Sequence, residues 1–191
     1  MQAPMVIGLM GHIDVIGVRF KPGGAFPFLG FPINTITDRS IPLDDVWSNT
    51  GSTMDSRLPE QPTIKRKISL LEDLLLKRLG TFPVPDDLTM EVIRMIYRMD
   101  GQVSIKAVGQ TLNISNRHLE RKFLAHVGLS PKMLCRVVRL QHALSNLKKQ
   151  RKPIWTDIVY QSGYYDQAHF VKEFKTLTGL TPNAYLGEKM L

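Results

Sequence analysis

The sequence predicts a mainly α fold: two helix-turn-helix units joined by a long central helix, preceded by a short β/loop segment and a linker helix. Three observations predict it. One is a motif that occurs twice. His118-Leu119-Glu120-Arg121-Lys122-Phe123 leads, after four residues, to Gly128-Leu129-Ser130-Pro131; His169-Phe170-Val171-Lys172-Glu173-Phe174 leads, after four residues, to Gly179-Leu180-Thr181-Pro182. Each copy reads as an amphipathic helix with a Gly stop and a Pro beyond it. The second observation is apolar spacing of three and four residues in segment after segment from Thr63 onward. The third is the division of charge. Residues 101–191 carry 14 Lys+Arg against 5 Asp+Glu, whereas residues 1–100 carry 11 against 12.

The 191 residues suffice for one domain or two small ones, and 43% hydrophobic content supports a packed core. All of the net charge of +8 originates in the half that holds the repeat, which points to a polyanionic partner for that half. Cys135 is the only cysteine, so neither a disulfide framework nor a cysteine-based zinc site is expected. Met1 to Val18 lacks a basic leader and is broken by His12 and Asp14, unlike a signal peptide. No stretch approaches a membrane span, and a cytoplasmic location is expected.

Residues 1–48 are rich in Gly, Pro and Phe. Val15-Ile16-Gly17-Val18-Arg19-Phe20 has strand composition, followed by the turn signal Lys21-Pro22-Gly23-Gly24. Asn49 to Pro62 reads as a linker. Over 63–79, Ile64, Ile68, Leu71, Leu75 and Leu79 form a helical stripe that Leu74 widens, stopped by Gly80 and Pro83. That stripe either packs on its own domain or forms a dimer or interdomain helix. Pro85-Asp86-Asp87 opens the next helix, with Leu88, Val92, Ile96 and Met99 inward. Further helices are expected near 104–112, 115–127, 131–149, 154–162, 166–178 and 182–189. The longest carries Leu134, Val137, Leu140, Leu144 and Leu147.

In the first unit (about 85–130), Ile105, Val108 and Leu112 make the support helix. Asn113-Ile114 makes the turn and Ser115 the cap. In the second (about 154–188), Ile154, Ile158 and Val159 support, Gly163-Tyr164 turns and Asp166 caps. At 100° per residue, Leu119 and Phe123 face the core of the first reader helix, and Phe170 and Phe174 that of the second. Arg117 and Arg121 face outward one turn apart, with His118 and Glu120 on the flanks. Two such arginines suit guanine edges or phosphates. Glu120 either accepts from a cytosine amino group or holds an arginine in place. Ala168, Lys172 and Lys175 face outward on the second reader, with His169 beside them and Gln167 near its start. Gln can pair with adenine, and Ala can meet a thymine methyl. His118 and His169 lack partners at metal-ligand spacing. The helix between the units is roughly nineteen residues, about 28 Å long, which suits readers entering successive groove turns about 34 Å apart.

Ser115 to Pro131, Arg139-Leu140 with Ala143 and Leu147, and Gly163 to Phe170 with Phe174 and Gly179-Leu180-Thr181-Pro182 resemble the AraC/XylS family of bacterial transcription regulators. Its DNA-binding module has two helix-turn-helix (homeodomain-like) units on a long helix; the likeness covers roughly 85–188. It implies base-reading roles for Arg117, Glu120 and Arg121, then for Gln167, Ala168, His169 and Lys172. Gly109 and Val159 stand where the family often has Ala, and Asn113 where the first turn often has Gly. Gly17 to Ala25 and Ile41 to Trp47 look like the tail of a cupin-like sensor domain, making 1–48 a partial, β-rich sensor remnant and 49–84 the linker and amphipathic helix.

The function expected is a sequence-specific DNA-binding transcription regulator; the alternative is a non-specific nucleic-acid or architectural protein. The partners expected are double-stranded DNA, RNA polymerase, and a second copy through residues 63–79, with no membrane. No cofactor or metal is expected. No Ser/His/Asp or Cys/His arrangement suggests an enzyme. Cys135 on the central helix reads as a buried structural thiol rather than a nucleophile.

Overall fold

A computed structural model describes residues 14–80, 84–149 and 155–189. Residues 1–13, Pro83 as a helix stop and Ile154 as a support residue lie outside them. The helices are α1 (Phe26–Leu29), α2 (Leu43–Val46), α3 (Thr50–Arg57), α4 (Ile64–Arg78), α5 (Asp87–Arg98), α6 (Ile105–Thr111), α7 (Asn116–Val127), α8 (Pro131–Lys149), α9 (Trp155–Gln161), α10 (Gln167–Thr178) and α11 (Pro182–Lys189). From α4 onward each predicted helix is present to within a residue or two. Two expectations fail. No strand forms among the described residues, so Val15–Phe20 does not realise its β composition. A strand needs a partner ladder for its backbone groups, and none is present among the described residues. The expected linker contains α3. Its first turn is capped from outside, since Asp44 accepts from Gly51 N at 2.6 Å and from Ser52 Oγ at 2.6 Å. Met54 is buried on its inner face.

The chain divides into two compact units. The first comprises Glu91–Arg121 and Leu129–Leu191 among the described residues. Its main core joins Leu140, Ala143 and Leu147 of α8, Ile158 and Val159 of α9, Tyr164, and Phe170 and Phe174 of α10. Phe170 meets Tyr164 at 5.1 Å and Phe174 at 5.6 Å between ring centroids, and Phe174 meets Tyr185 at 5.5 Å. Such edge-on pairs contribute about 0.5–1.5 kcal/mol each beyond the area they bury. Along α8 the buried face runs through Leu134, Cys135, Val138, Leu140, Ala143 and Leu147, with Val137 and Leu144 half-buried at its margin. Gly101, with φ +76, lies against that helix. A Cβ there would stand 2.2 Å from Cys135 O and 2.7 Å from Arg139 N. Only glycine permits so close a backbone approach.

The second unit comprises, among the described residues, 14–80, 84–90 and Lys122–Gly128. Trp47 is buried, donates from Nε1 to Phe28 O at 2.9 Å, and carries the Arg78 guanidinium over its ring at 4.8 Å. Asp86 accepts from Thr89 N at 2.8 Å, which starts α5, and its other oxygen pairs with Lys122. Thr89 Oγ1 lies 3.2 Å from His126 Nδ1, and the His126 ring packs on Phe26 at 4.5 Å. Within α4 no residue is fully buried: Leu71, Leu74 and Leu75 of the predicted stripe are half-buried, whereas Ile64, Ile68 and Leu76, and Leu79 just past the helix end, are exposed.

Candidate nucleic-acid interface

The two helix-turn-helix units repeat one another bond for bond. Asn113 N donates to Gln110 O at 3.2 Å and Ile114 N to Gly109 O at 2.9 Å. Fifty residues on, Gly163 N donates to Tyr160 O at 3.0 Å and Tyr164 N to Val159 O at 3.1 Å. Asn113 (φ 49) and Gly163 (φ 74) both take the left-handed backbone that reverses the chain sharply. Ser115 Oγ then accepts from His118 N at 3.3 Å, and Asp166 Oδ1 from His169 N at 2.7 Å. The caps are fifty-one residues apart, so the second turn is longer by one residue, and Tyr165 within it is 85% exposed. The shorter first turn explains Gly109. A Cβ there would meet Asn116 Oδ1 at 2.9 Å and Ile114 O at 3.0 Å. In the roomier second unit the equivalent Val159 keeps its side chain and buries it.

The capped helices present the expected residues outward. Leu119, Phe123, Phe170 and Phe174 are buried on the inner faces. Arg117, Glu120 and Arg121 on α7, and Gln167, Ala168, His169 and Lys172 on α10, are exposed; His118 is half-buried. Arg121 Nη2 lies 3.2 Å from His118 Nδ1. His118 thus restrains the arginine, the role left open for Glu120. His169 sits edge-on to the Tyr164 ring at 5.4 Å, with Nε2 4.0 Å from Glu173 Oε2.

A cleft of about 840 Å³ lies between the two readers within the first unit. Glu120 and Asn116 of α7 line one side, His169 and Lys172 of α10 the other, and Lys132, Cys135 and Arg136 of α8 also contribute. Arg117, Arg121, Gln167 and Ala168 are not in its lining. Arg136 Nε donates to Glu173 Oε2 at 2.8 Å, tying the central helix to the second reader. Arg139 places its guanidinium 5.4 Å from the Tyr164 ring centre and donates to Gly101 O at 3.3 Å. Burial, then the Glu173 charge, raises the Tyr164 hydroxyl above its ordinary range. Burial also pushes the Cys135 thiol up to about 11, so it stays protonated and inert near neutral pH.

The Arg136–Glu173 tie was not visible in the sequence. Glu173 does fall between Phe170 and Phe174 on the inward side of its helix, and a carboxylate there needs a partner. Nothing in the spacing names a partner 37 residues earlier. Among the described residues no His/Cys/Asp/Glu cluster has the grouping of a metal site. No helix among them is long and apolar enough to cross a membrane.

Two capped reader helices on a shared central helix define a double helix-turn-helix domain. Residues 108–188 match the family described as a helix-turn-helix domain. Residues 1–42 match a family described as a domain of unknown function. An uncharacterized HTH-type transcriptional regulator of Haemophilus influenzae is 30% identical over 98 residues, covering 51% of this chain and 33% of that protein. An uncharacterized HTH-type transcriptional regulator of Staphylococcus aureus is 30% identical over 87 residues, covering 46% of this chain and 12% of that protein. The chain therefore spans a third or less of these relatives. The C-terminal domain of AraT, a response regulator from Geobacillus stearothermophilus, aligns with a TM-score of 0.49 at 26% identity, over 53% of this chain and 84% of that one.

Proposed function

We propose that this protein is a transcription regulator that binds double-stranded DNA in a sequence-specific manner, with α7 and α10 entering two successive major-groove segments. The observation that carries the proposal is the pair of readers itself. Their turns and caps match bond for bond, and their outward faces hold residue types suited to base edges. In this reading Arg117 and Arg121 contact guanine or phosphate, Glu120 a cytosine amino group, and Gln167 adenine. Ala168 meets a thymine methyl, and His118, His169 and Lys172 complete the contact surface. The 19 residues of α8 supply about 28 Å of separation, close to one groove turn once the readers' own width is added. Similarity to relatives named transcriptional regulators supports the same reading.

Selection of bound duplexes from a random pool tests it, with the winners re-measured against scrambled DNA. A two-part motif bound at least a thousandfold tighter than scrambled DNA is expected, roughly the lower limit for specific readers. Equal, steeply salt-dependent binding to all duplexes instead describes the non-specific alternative. Ile64, Ile68 and Leu79 leave part of the apolar stripe exposed beside the half-buried Leu71, Leu74 and Leu75, and that exposed part supports a further part of the proposal: a homodimer formed through residues 63–79. A monomer mass independent of concentration in sedimentation contradicts it. The regulator would act on RNA polymerase by contact or by occlusion, which a promoter reporter with the operator moved relative to the start site separates.

A further inference from the structure

We propose that the cleft between the readers is a second kind of DNA site: a seat for the phosphodiester backbone that passes from one major-groove segment to the next. The inference rests on the two-reader reading given above. When two helices occupy successive major grooves on one face of a duplex, the intervening minor groove faces the protein, and its flanking backbone lies between the helices. The structure puts a cleft of about 840 Å³ at that place.

Its charge fits this occupant. Lys106, Lys132, Arg136, Arg139 and Lys172 line it against two carboxylates, Glu120 and Glu173. Glu173 is occupied by Arg136, and Arg139 is turned to Gly101 O and the Tyr164 ring. The available cations are therefore Lys106, Lys132 and Lys172, whose residues are all exposed. Lysine ammonium groups on flexible stems suit phosphate as point charges and carry no base preference. A small-molecule site would enclose most of its ligand's surface. Three exposed lysines instead suit a strand of repeated anions. Lys106 stands on the support helix α6 and Lys132 at the start of α8, so neither is a reader residue. Their contribution adds to affinity and leaves sequence preference to α7 and α10.

The test is the Lys106→Gln/Lys132→Gln double variant beside Arg19→Gln/Lys21→Gln, which removes the same charge from exposed positions outside both the helix-turn-helix units and residues 63–79. Binding of the full chain to its selected operator and to scrambled duplex is measured over a salt series, with melting curves to show that each variant folds. The cleft variant should weaken binding to both duplexes by the same factor. It should also make the slope of log K against log salt shallower by about 2, about 1 for each lost contact. The Arg19→Gln/Lys21→Gln variant should leave the slope near that of the unaltered protein. Matching slopes for the two variants overturn the proposal while the two-reader function stands. So does a cleft variant whose loss is confined to particular bases. If the unaltered protein binds no duplex, the function and the seat fall together.

Discussion

In the proposed reading, Arg121 sets the preference at one base pair. Its guanidinium lies 3.2 Å from His118 Nδ1, so it would meet DNA partly ordered, at a smaller entropy cost than a free side chain. Arg121→Ala should weaken the operator by about 1–3 kcal/mol and relax preference at one base pair. An equal loss on every duplex would make it a phosphate contact. Gly101 matters for stability. Its positive φ and the 2.2 Å approach of a Cβ to Cys135 O leave Ala no place, and Gly101→Ala should cost about 2 kcal/mol or more, seen as a lowered Tm. His126 supplies a pH dependence. Burial, and secondarily the Lys122 charge, hold its imidazole below the ordinary 6.5. The unfolded chain then binds the proton more readily, so this contribution is complete above pH 6.5 and is lost as pH falls through the lower folded value. Tm should therefore drop as pH falls below about 6.5. His126→Phe, which keeps a ring against Phe26, should flatten that drop, and an unchanged pH profile contradicts the assignment.

At the scale of elements, the two turns differ by one residue, and that difference decides what the support helix can carry. Gly109 faces Asn116 Oδ1 at 2.9 Å and Ile114 O at 3.0 Å, whereas its repeat partner Val159 is buried without conflict. Gly109→Val should cost about 1–3 kcal/mol by overpacking, measured as a Tm shift. The readers and their caps were legible in advance, because Ser115, Asp166 and the Leu119/Phe123 and Phe170/Phe174 pairs announce themselves by spacing of three and four. Asn113 was legible too, as a residue that tolerates φ > 0. Helix α3 was not. Its Thr-Gly-Ser-Thr start favours turns, and the helix depends on the Asp44 carboxylate reaching its first turn from α2. Val15–Phe20 misled in the opposite sense, since strand composition cannot form a strand without a neighbour. The Arg136–Glu173 tie and the cleft cations were equally invisible. They arise where helices distant in sequence meet, and no periodicity records that.

For the molecule as a whole, charge and architecture point the same way. The excess positive charge lies in the half that holds both helix-turn-helix units, and the cleft between them gathers the three exposed lysines Lys106, Lys132 and Lys172. A long helix fixes the separation of the readers, so recognition should depend on the phase of the two half-sites and not only on their sequences. Inserting about five base pairs, half a helical turn, between the halves of the selected operator tests this most directly. The two-reader account predicts that affinity falls to that of a single half-site, and that about ten inserted base pairs restore the facing but not the reach. Affinity unchanged by the half-turn insertion would contradict it.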